Sequence, residues 1–350
     1  MKIFVKKNSS NKSLIKLRIS VVKNIFNIKN QSDFLASCLE TFRYQYSNVE
    51  VYRKFVDYLK INPSEIDAVE KIPFLPIEMF KNHLILDQNF KTENYFQSSG
   101  TTQIQTRSKH FIADFNWYEQ SIERSFEQFI GKPEDFIFLG LLPNYSENPH
   151  SSLIYMVDYL MKKSGKPENG YFLYNHQELF NLIQELQNED KKIILFGVSF
   201  ALLDYLDFCK TQQLLHSKTQ QLTIIETGGM KGRKEEMTKD ELLKIFREGF
   251  STDKICSEYS MTELLSQAYS LGENLYDTPN WMRILIRNTE DPFSYLEDGK
   301  TGAINIIDLA NTHSCSFIAT QDLGKIVEGK FQVLGRIDHS DIRGCSLLVS

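Results

Sequence analysis

Unbroken apolar runs of membrane-spanning length are missing from the sequence, which excludes an ordinary transmembrane helix. The stretch 14–28 is interrupted by Lys16, Arg18, Lys23 and Asn27 and reads as an amphipathic helix or strand. The basic residues 1–11 are not followed by an apolar core, so no signal peptide is expected. Cysteine is scarce. Cys38, Cys209, Cys256, Cys315 and Cys345 are odd in number, widely spaced and free of any Cys-x-x-Cys pair. That argues against a disulfide framework or a structural zinc site, and free thiols suit a reducing cytoplasm, the expected compartment. A basic excess is also absent: 40 Lys and Arg face 45 Asp and Glu, a net charge of −5. General nucleic-acid binding needs the opposite balance. There is no internal repeat, no low-complexity linker and no Walker A ending of Gly-Lys-Ser/Thr.

What is present is a globular composition. Hydrophobic residues make up 41% of the 350-residue chain and aromatics 12%, enough to fill a large core. The length suits one large domain or two ordinary ones. The first part, to about residue 86, reads as helical. Ser32 is placed to cap a helix whose Phe34, Leu35, Cys38, Leu39 and Phe42 share a face, and a second helix is predicted over 51–59. Ile72-Pro73-Phe74-Leu75-Pro76 must be extended, because residues before proline are pushed out of the helical region. Further on, apolar strand-like runs at 136–142, 192–196, 222–226 and 254–256 alternate with helical periods at 117–129, 152–163, 178–187, 200–210 and 239–250. That alternation predicts α/β units with a parallel sheet. After about residue 282 short strands take over, at 283–287, 303–307, 325–327 and 331–333.

Four stretches carry candidate chemistry. Ser98-Ser99-Gly100-Thr101-Thr102, with Arg107 and Lys109 following, is a hydroxyl-rich loop able to offer N–H groups and hydroxyls to phosphate oxygens. Glu226-Thr227-Gly228-Gly229-Met230-Lys231 ends a strand, and paired glycines let backbone approach a flat ligand. Tyr259-Ser260-Met261-Thr262-Glu263 joins an aromatic face, hydroxyls and a carboxylate suited to a hard cation. Asp322, and Arg336 within Gly335-Arg336-Ile337-Asp338, offer partners for ribose hydroxyls or phosphate. Taken singly, each stretch is equally a turn between elements.

Their order and spacing resemble those of the adenylate-forming superfamily of acyl-CoA synthetases, adenylation domains and luciferases. The Ser/Thr/Gly loop looks like that superfamily's phosphate loop. Residues 259–263 look like its Tyr-Gly-x-Thr-Glu motif with Ser260 in place of glycine, and 335–338 look like its Gly-Arg-x-Asp motif. Over nearly the whole chain the sequence is similar to one branch, the LuxE-like acyl-protein synthetases of bacterial fatty-acid reductase complexes. Residues 72–76 with Phe80-Lys81, His150-Ser151-Ser152-Leu153, Phe196-Gly197-Val198-Ser199-Phe200, Gly228-Gly229-Met230-Lys231-Gly232 and Arg343-Gly344-Cys345-Ser346 carry that similarity. Gln103 departs from the glycine often found at its position.

The resemblance implies an α/β fold, the large N-terminal domain of an adenylate-forming enzyme with a small β-rich subdomain. The superfamily's mobile C-terminal domain, with its lysine, is expected to be missing. The implied layout is a helical segment at 1–90 packed on a core at 91–335, then a short tail at 336–350. The implied reaction is activation of a fatty or other carboxylic acid by ATP with Mg²⁺, then transfer of the acyl group to a thiol for an acyl-CoA or acyl-protein reductase or an acyltransferase. Ser98, Ser99, Gly100, Thr101, Thr102, Gly228, Gly229, Tyr259, Asp322 and Arg336 would bind nucleotide, with Tyr259 on adenine and Asp322 and Arg336 on ribose. Glu263 would hold the metal. Thr262, Glu263, Cys345 and Lys231 would be catalytic, Cys345 as acyl carrier and Lys231, with Lys109 behind it, as substitute for the missing lysine. Rival readings are a serine acyltransferase or esterase using Ser199 in a Gly-x-Ser-x-Ala elbow, with Asp308 and His313 or Asp338 and His339; an adenylating ligase with coenzyme A or a carrier protein as acceptor; and a binding module without catalysis.

Overall fold

A computed structural model describes residues 25–99, 106–144, 146–229 and 237–337. The chain opens with helices α1 (Gln31–Asn48) and α2 (Glu50–Tyr58), then strand β1 (Leu75–Pro76) and the short helix α3 (Met79–Asn82). The hairpin β2 (Tyr95–Gln97) and β3 (Lys109–Phe111) follows, then α4 (Phe115–Phe129), β4 (Ile137–Leu141), α5 (Ser152–Ser164) and β5 (Gly170–Tyr171). Next come α6 (His176–Asn188), β6 (Ile193–Gly197), α7 (Ser199–Thr211), β7 (Leu222–Glu226), α8 (Lys239–Phe250) and β8 (Ile255–Tyr259). The remainder is β9 (Ala268–Ser270), β10 (Tyr276–Asp277), β11 (Met282–Arg287), β12 (Gly302–Asp308), β13 (Phe317–Val327) and β14 (Lys330–Arg336).

The strands β5, β4, β6, β7 and β8 lie side by side in parallel, as strand–helix alternation requires. Every residue of β4, β6, β7 and β8 is buried, because helices cover both faces. On one face Phe138, Phe196 and Ile225 pack with Phe126 of α4 and Val157 of α5. On the other, Leu139, Leu195 and Ile224 pack with Ile183 of α6, Leu202 of α7 and Phe246 of α8. From β8 the sheet continues antiparallel through β9, β10, β14, β13, β12 and β11. Mixed α/β layers with an attached β-rich portion match the expected fold class. Among the described residues, no helix is long and apolar enough to cross a membrane.

The N-terminal helices dock on that β-rich portion. β1 pairs in parallel with β13, aligning Leu75 with Ile318. Tyr52 stacks on Phe317 with ring centroids 6.1 Å apart. The side chain of fully buried Gln45 donates to the carbonyls of Asn311 and Thr312 (2.9 and 3.1 Å) and accepts from the Ser316 amide (3.0 Å). The cap of α1 is Asn30, not Ser32: the Asn30 carboxamide oxygen accepts from Asp33 N at 2.9 Å. The reason is local, since Asn30 adopts the extended backbone that aims its side chain at the first turn.

Candidate functional site

The site is assembled at the carboxyl ends of β7 and β8, where parallel sheets expose loop backbone above the strand edges. Tyr259 is the last residue of β8. Its hydroxyl donates to Asp322 Oδ2 at 2.8 Å, and Arg336 Nε donates to Oδ1 of the same carboxylate at 3.1 Å. Asp322 and Arg336 face each other in register across β13 and β14, so one hairpin delivers both. They are strand residues, not turn residues. Tyr259 is itself held edge-on by Tyr276 and Phe331, at 5.9 and 5.3 Å. Burial, and then the Asp322 carboxylate, push its pKa well above the ordinary tyrosine value, so the hydroxyl stays protonated as a donor.

Beyond Tyr259 the chain turns through Thr262 and Glu263. Glu263 is 5% exposed. Burial raises its pKa, opposed by a hydrogen bond from Ser108 and by the positive charges of Arg336 and Lys81. Ser108 also closes the base of the serine-rich loop: its N–H donates to Ser98 Oγ, and its carbonyl accepts from Ser98 N, both at 3.1 Å. Next to it, His110 Nδ1 meets the Thr262 carbonyl at 3.0 Å and Nε2 meets Ser314 Oγ at 2.8 Å. A carbonyl only accepts, so Nδ1 carries the proton and Nε2 accepts from Ser314. Burial pushes His110 down to about 4, which keeps that neutral form. The β2–β3 hairpin is thereby fastened to the loop after β8, and Ser98, Glu263, Arg336, Asp322 and Tyr259 share one neighbourhood. Ser99 is exposed beside them. Gly100, Thr101, Thr102, Lys231, Asp338, His339 and Cys345 lie outside the described residues.

The glycine pair follows β7. Gly228 and Gly229 adopt φ of +77° and +95°, the left-handed region that side chains disfavour, and a Cβ on Gly229 would come 3.3 Å from Val198. Their turn is stitched to the start of α7, with Thr227 N donating to the Gly197 carbonyl (3.1 Å) and Ser199 N to the Gly228 carbonyl (2.8 Å). Glu226 lies beneath, 1% exposed. One of its carboxylate oxygens accepts from the Ser199 hydroxyl and from Gly228 N, the latter at 2.7 Å; the other takes Lys239 Nζ. Sequence reasoning quoted Glu226 but missed its role, and it missed Lys239 and His110. A lysine opening an amphipathic helix ordinarily reads as surface; the only signal was a glutamate inside an otherwise apolar strand end.

The serine-hydrolase rival is not supported by this arrangement. Ser199 is 1% exposed and its hydroxyl is spent on Glu226. Asp308 accepts from the amides of Leu265, Ser266 and Ala310, and His313 Nδ1 lies 3.9 Å from Asp87. No hydrogen bond joins Asp308 to His313 or His313 to Ser199 among the described residues, so that triad is not formed. His150 stacks flat on Tyr95 at 4.4 Å and introduces Ser151, the N-cap of α5.

A sequence profile of the acyl-protein synthetase family, LuxE, matches residues 24–350. The chain belongs to this family. It is accordingly a ligase, and its acyl-protein synthetase relatives include the long-chain-fatty-acid–luciferin-component ligase of Vibrio harveyi, 22% identical over 88% of this chain and 85% of that protein. The ligase of the same description from Aliivibrio fischeri is 21% identical over the same shares. Among solved structures, 2-hydroxyisobutyryl-CoA ligase in an open conformation, in complex with 2-HIB-AMP and CoA, superposes with a TM-score of 0.63 at 12% identity. That match covers 88% of this chain and 71% of the ligase. The same ligase in its thioesterification state gives 0.62, covering 89% and 70%. The acyl-protein synthetase thus shares the adenylate-forming fold.

Proposed function

We propose that this acyl-protein synthetase joins a fatty carboxylate to the α-phosphate of ATP, releasing pyrophosphate, and then passes the acyl group to the Cys345 thiol for a reductase or acyltransferase partner. The observation that carries the reading is the Tyr259–Asp322–Arg336 constellation. Asp322 keeps acceptor capacity toward ribose hydroxyls while Tyr259 and Arg336 fix its orientation. Gly228 and Gly229, at the end of β7 beside β8, would admit a flat base, and Ser98 and Ser99 begin the loop that would meet the phosphates.

Carboxylate and triphosphate are both anions, so positive charge must offset their repulsion. Arg336 and Lys81 lie within electrostatic reach of Glu263. Lys231 is the proposed cation at the reacting atoms, from a segment outside the described residues. For Mg²⁺, the described residues contain no cluster of three His, Cys, Asp or Glu able to hold a metal alone. Glu263 still fits the ion, which characteristically binds one or two carboxylates plus substrate phosphates and waters. Bound there, Mg²⁺ would draw phosphate negative charge. Glu263 itself would anchor that charge against Ser108.

Transfer needs an accessible thiol. Cys38, Cys209, Cys256 and Cys315 are all buried. Burial pushes Cys38 and Cys315 up to about 12 and Cys256 to about 11. They are poor nucleophiles, which supports Cys345, beside Arg343, as acceptor. There the new C–S bond forms as the bond between the acyl carbon and the AMP phosphate oxygen breaks, AMP departs, and the thiol proton passes to the AMP phosphate or to solvent.

The test is exchange of labelled pyrophosphate into ATP across a panel of fatty acids. Exchange should appear only with an acid present and drop at least tenfold in Glu263→Gln. Absence of exchange with every acid overturns adenylation. Labelled acyl groups should remain on wild-type protein and not on Cys345→Ser; equal labelling removes the cysteine assignment and favours coenzyme A or a carrier protein as acceptor.

A further inference from the structure

We propose that the buried Glu226–Lys239 ion pair, continued through Tyr276, is the positioning device that sets the width of the nucleotide slot between the Gly228–Gly229 turn and Tyr259. The inference rests on the adenylation reading for the slot and what fills it. Glu226 ends β7 and holds the Gly228 N–H directly, at 2.7 Å. Its other oxygen takes Lys239, the first residue of α8. Lys239 also hydrogen-bonds Tyr276 of β10. The Tyr276 ring then packs against Tyr259 and, stacked at 5.2 Å, against Phe331 of β14. A continuous chain of contacts therefore runs from the glycine turn to the Tyr259–Asp322–Arg336 triplet, through groups that are almost wholly enclosed. The Glu226 and Lys239 side chains are 1% and 19% exposed.

The chemistry favours a brace over a reacting group. Burial alone would lower the Lys239 pKa, yet Glu226 and Tyr276 raise it, so the ammonium stays charged and bound to its partner. Buried pairs of this kind add little net stability relative to an apolar pair. Their contribution is directional: each oxygen of Glu226 has an assigned donor, so the turn and α8 cannot slide independently. Removing one partner strands a buried charge and lets the turn shift. Placing a ligand depends on tenths of an ångström, so nucleotide affinity should respond before anything at the acid site does.

The experiment compares wild type, Lys239→Met, Lys239→Arg, Glu226→Gln and the Glu226→Gln/Lys239→Met double variant. ATP affinity is measured by calorimetry, and KM for ATP and for acid by pyrophosphate exchange, with melting curves alongside. We expect Lys239→Met and Glu226→Gln to weaken ATP binding about tenfold while KM for the acid moves less than twofold. Lys239→Arg should recover most of the loss. The double variant should be no worse than the poorer single, because no stranded charge remains. A folded Lys239→Met or Glu226→Gln whose ATP affinity equals wild type, or whose two KM values rise together, overturns the brace. Glu226→Gln, which breaks the same pair from its other end, keeps the test open should Lys239→Met fail to fold. If wild type binds ATP without exchange, adenylation falls while the brace stands or falls on the binding constants; if it binds no nucleotide, both fall.

Discussion

At the scale of single residues, the most telling group is Glu258, one position before Tyr259 and on the opposite side of β8. It is 5% exposed, and its Oε1 has no hydrogen-bond partner among the described residues. Burial pushes its pKa up to about 7, reinforced by the nearby Glu226 charge and opposed by Ser260. A carboxyl whose folded pKa is raised stabilises the fold fully below its unfolded value. That contribution is lost as pH climbs from about 4.5 to about 7, where a buried charge must form. Glu258→Gln should therefore melt close to wild type at pH 4.5 and above it at pH 8. Thermal melts at those two values check this, and a constant difference across the range would refute it. Lys239 and His110 teach the complementary lesson about legibility. Both look like ordinary polar residues in the sequence, because nothing local says that an ion partner lies 13 residues away or that a Thr262 carbonyl lies 152 away.

At the scale of elements, the helices and strands flanking the parallel sheet were legible because apolar runs wholly buried on both faces leave an unambiguous pattern. The predicted strands 222–226 and the helix 239–250 coincide with β7 and α8. β13 and β14 were not legible at their true length. Their burial alternates or fades outward, as in half-covered strands, and only the apolar pieces at 325–327 and 331–333 stood out. Asp322 therefore entered as a carboxylate that was equally a turn residue, whereas its strand register with Arg336 is what aims it. α8 carries a full capping box, Thr238 and Glu241 each accepting from the other's backbone. Thr238→Ala should cost about 1 kcal/mol in chemical denaturation. Leu75, fully buried in β1, should cost about 2–5 kcal/mol when cut to alanine, a loss that urea titration would register.

At the scale of the molecule, the N-terminal segment is part of the same packing unit as the β-rich portion, by β1, Tyr52 and Gln45. A chain started at residue 91 would leave Phe317 and the Ser316 amide without their partners. It should show no cooperative melting transition, and a cooperative one near the full-length temperature would refute this reading. The acyl-protein synthetase family and its fold were readable at this scale from the order and spacing of motifs. Its residue-level execution was not, because hydrogen bonds such as Tyr259 to Asp322 join positions 63 apart and exist only once the sheet has closed.

The pairing of β1 with β13 carries a consequence for how the protein comes into being. Leu75 leaves the ribosome long before Ile318 is made, and Gln45 waits across 271 residues for Ser316. Helices α1 and α2 must therefore spend most of translation with their apolar faces unmatched. A refolding rate slowed by late docking of the earliest-made segment is the expected consequence of that parallel strand pair.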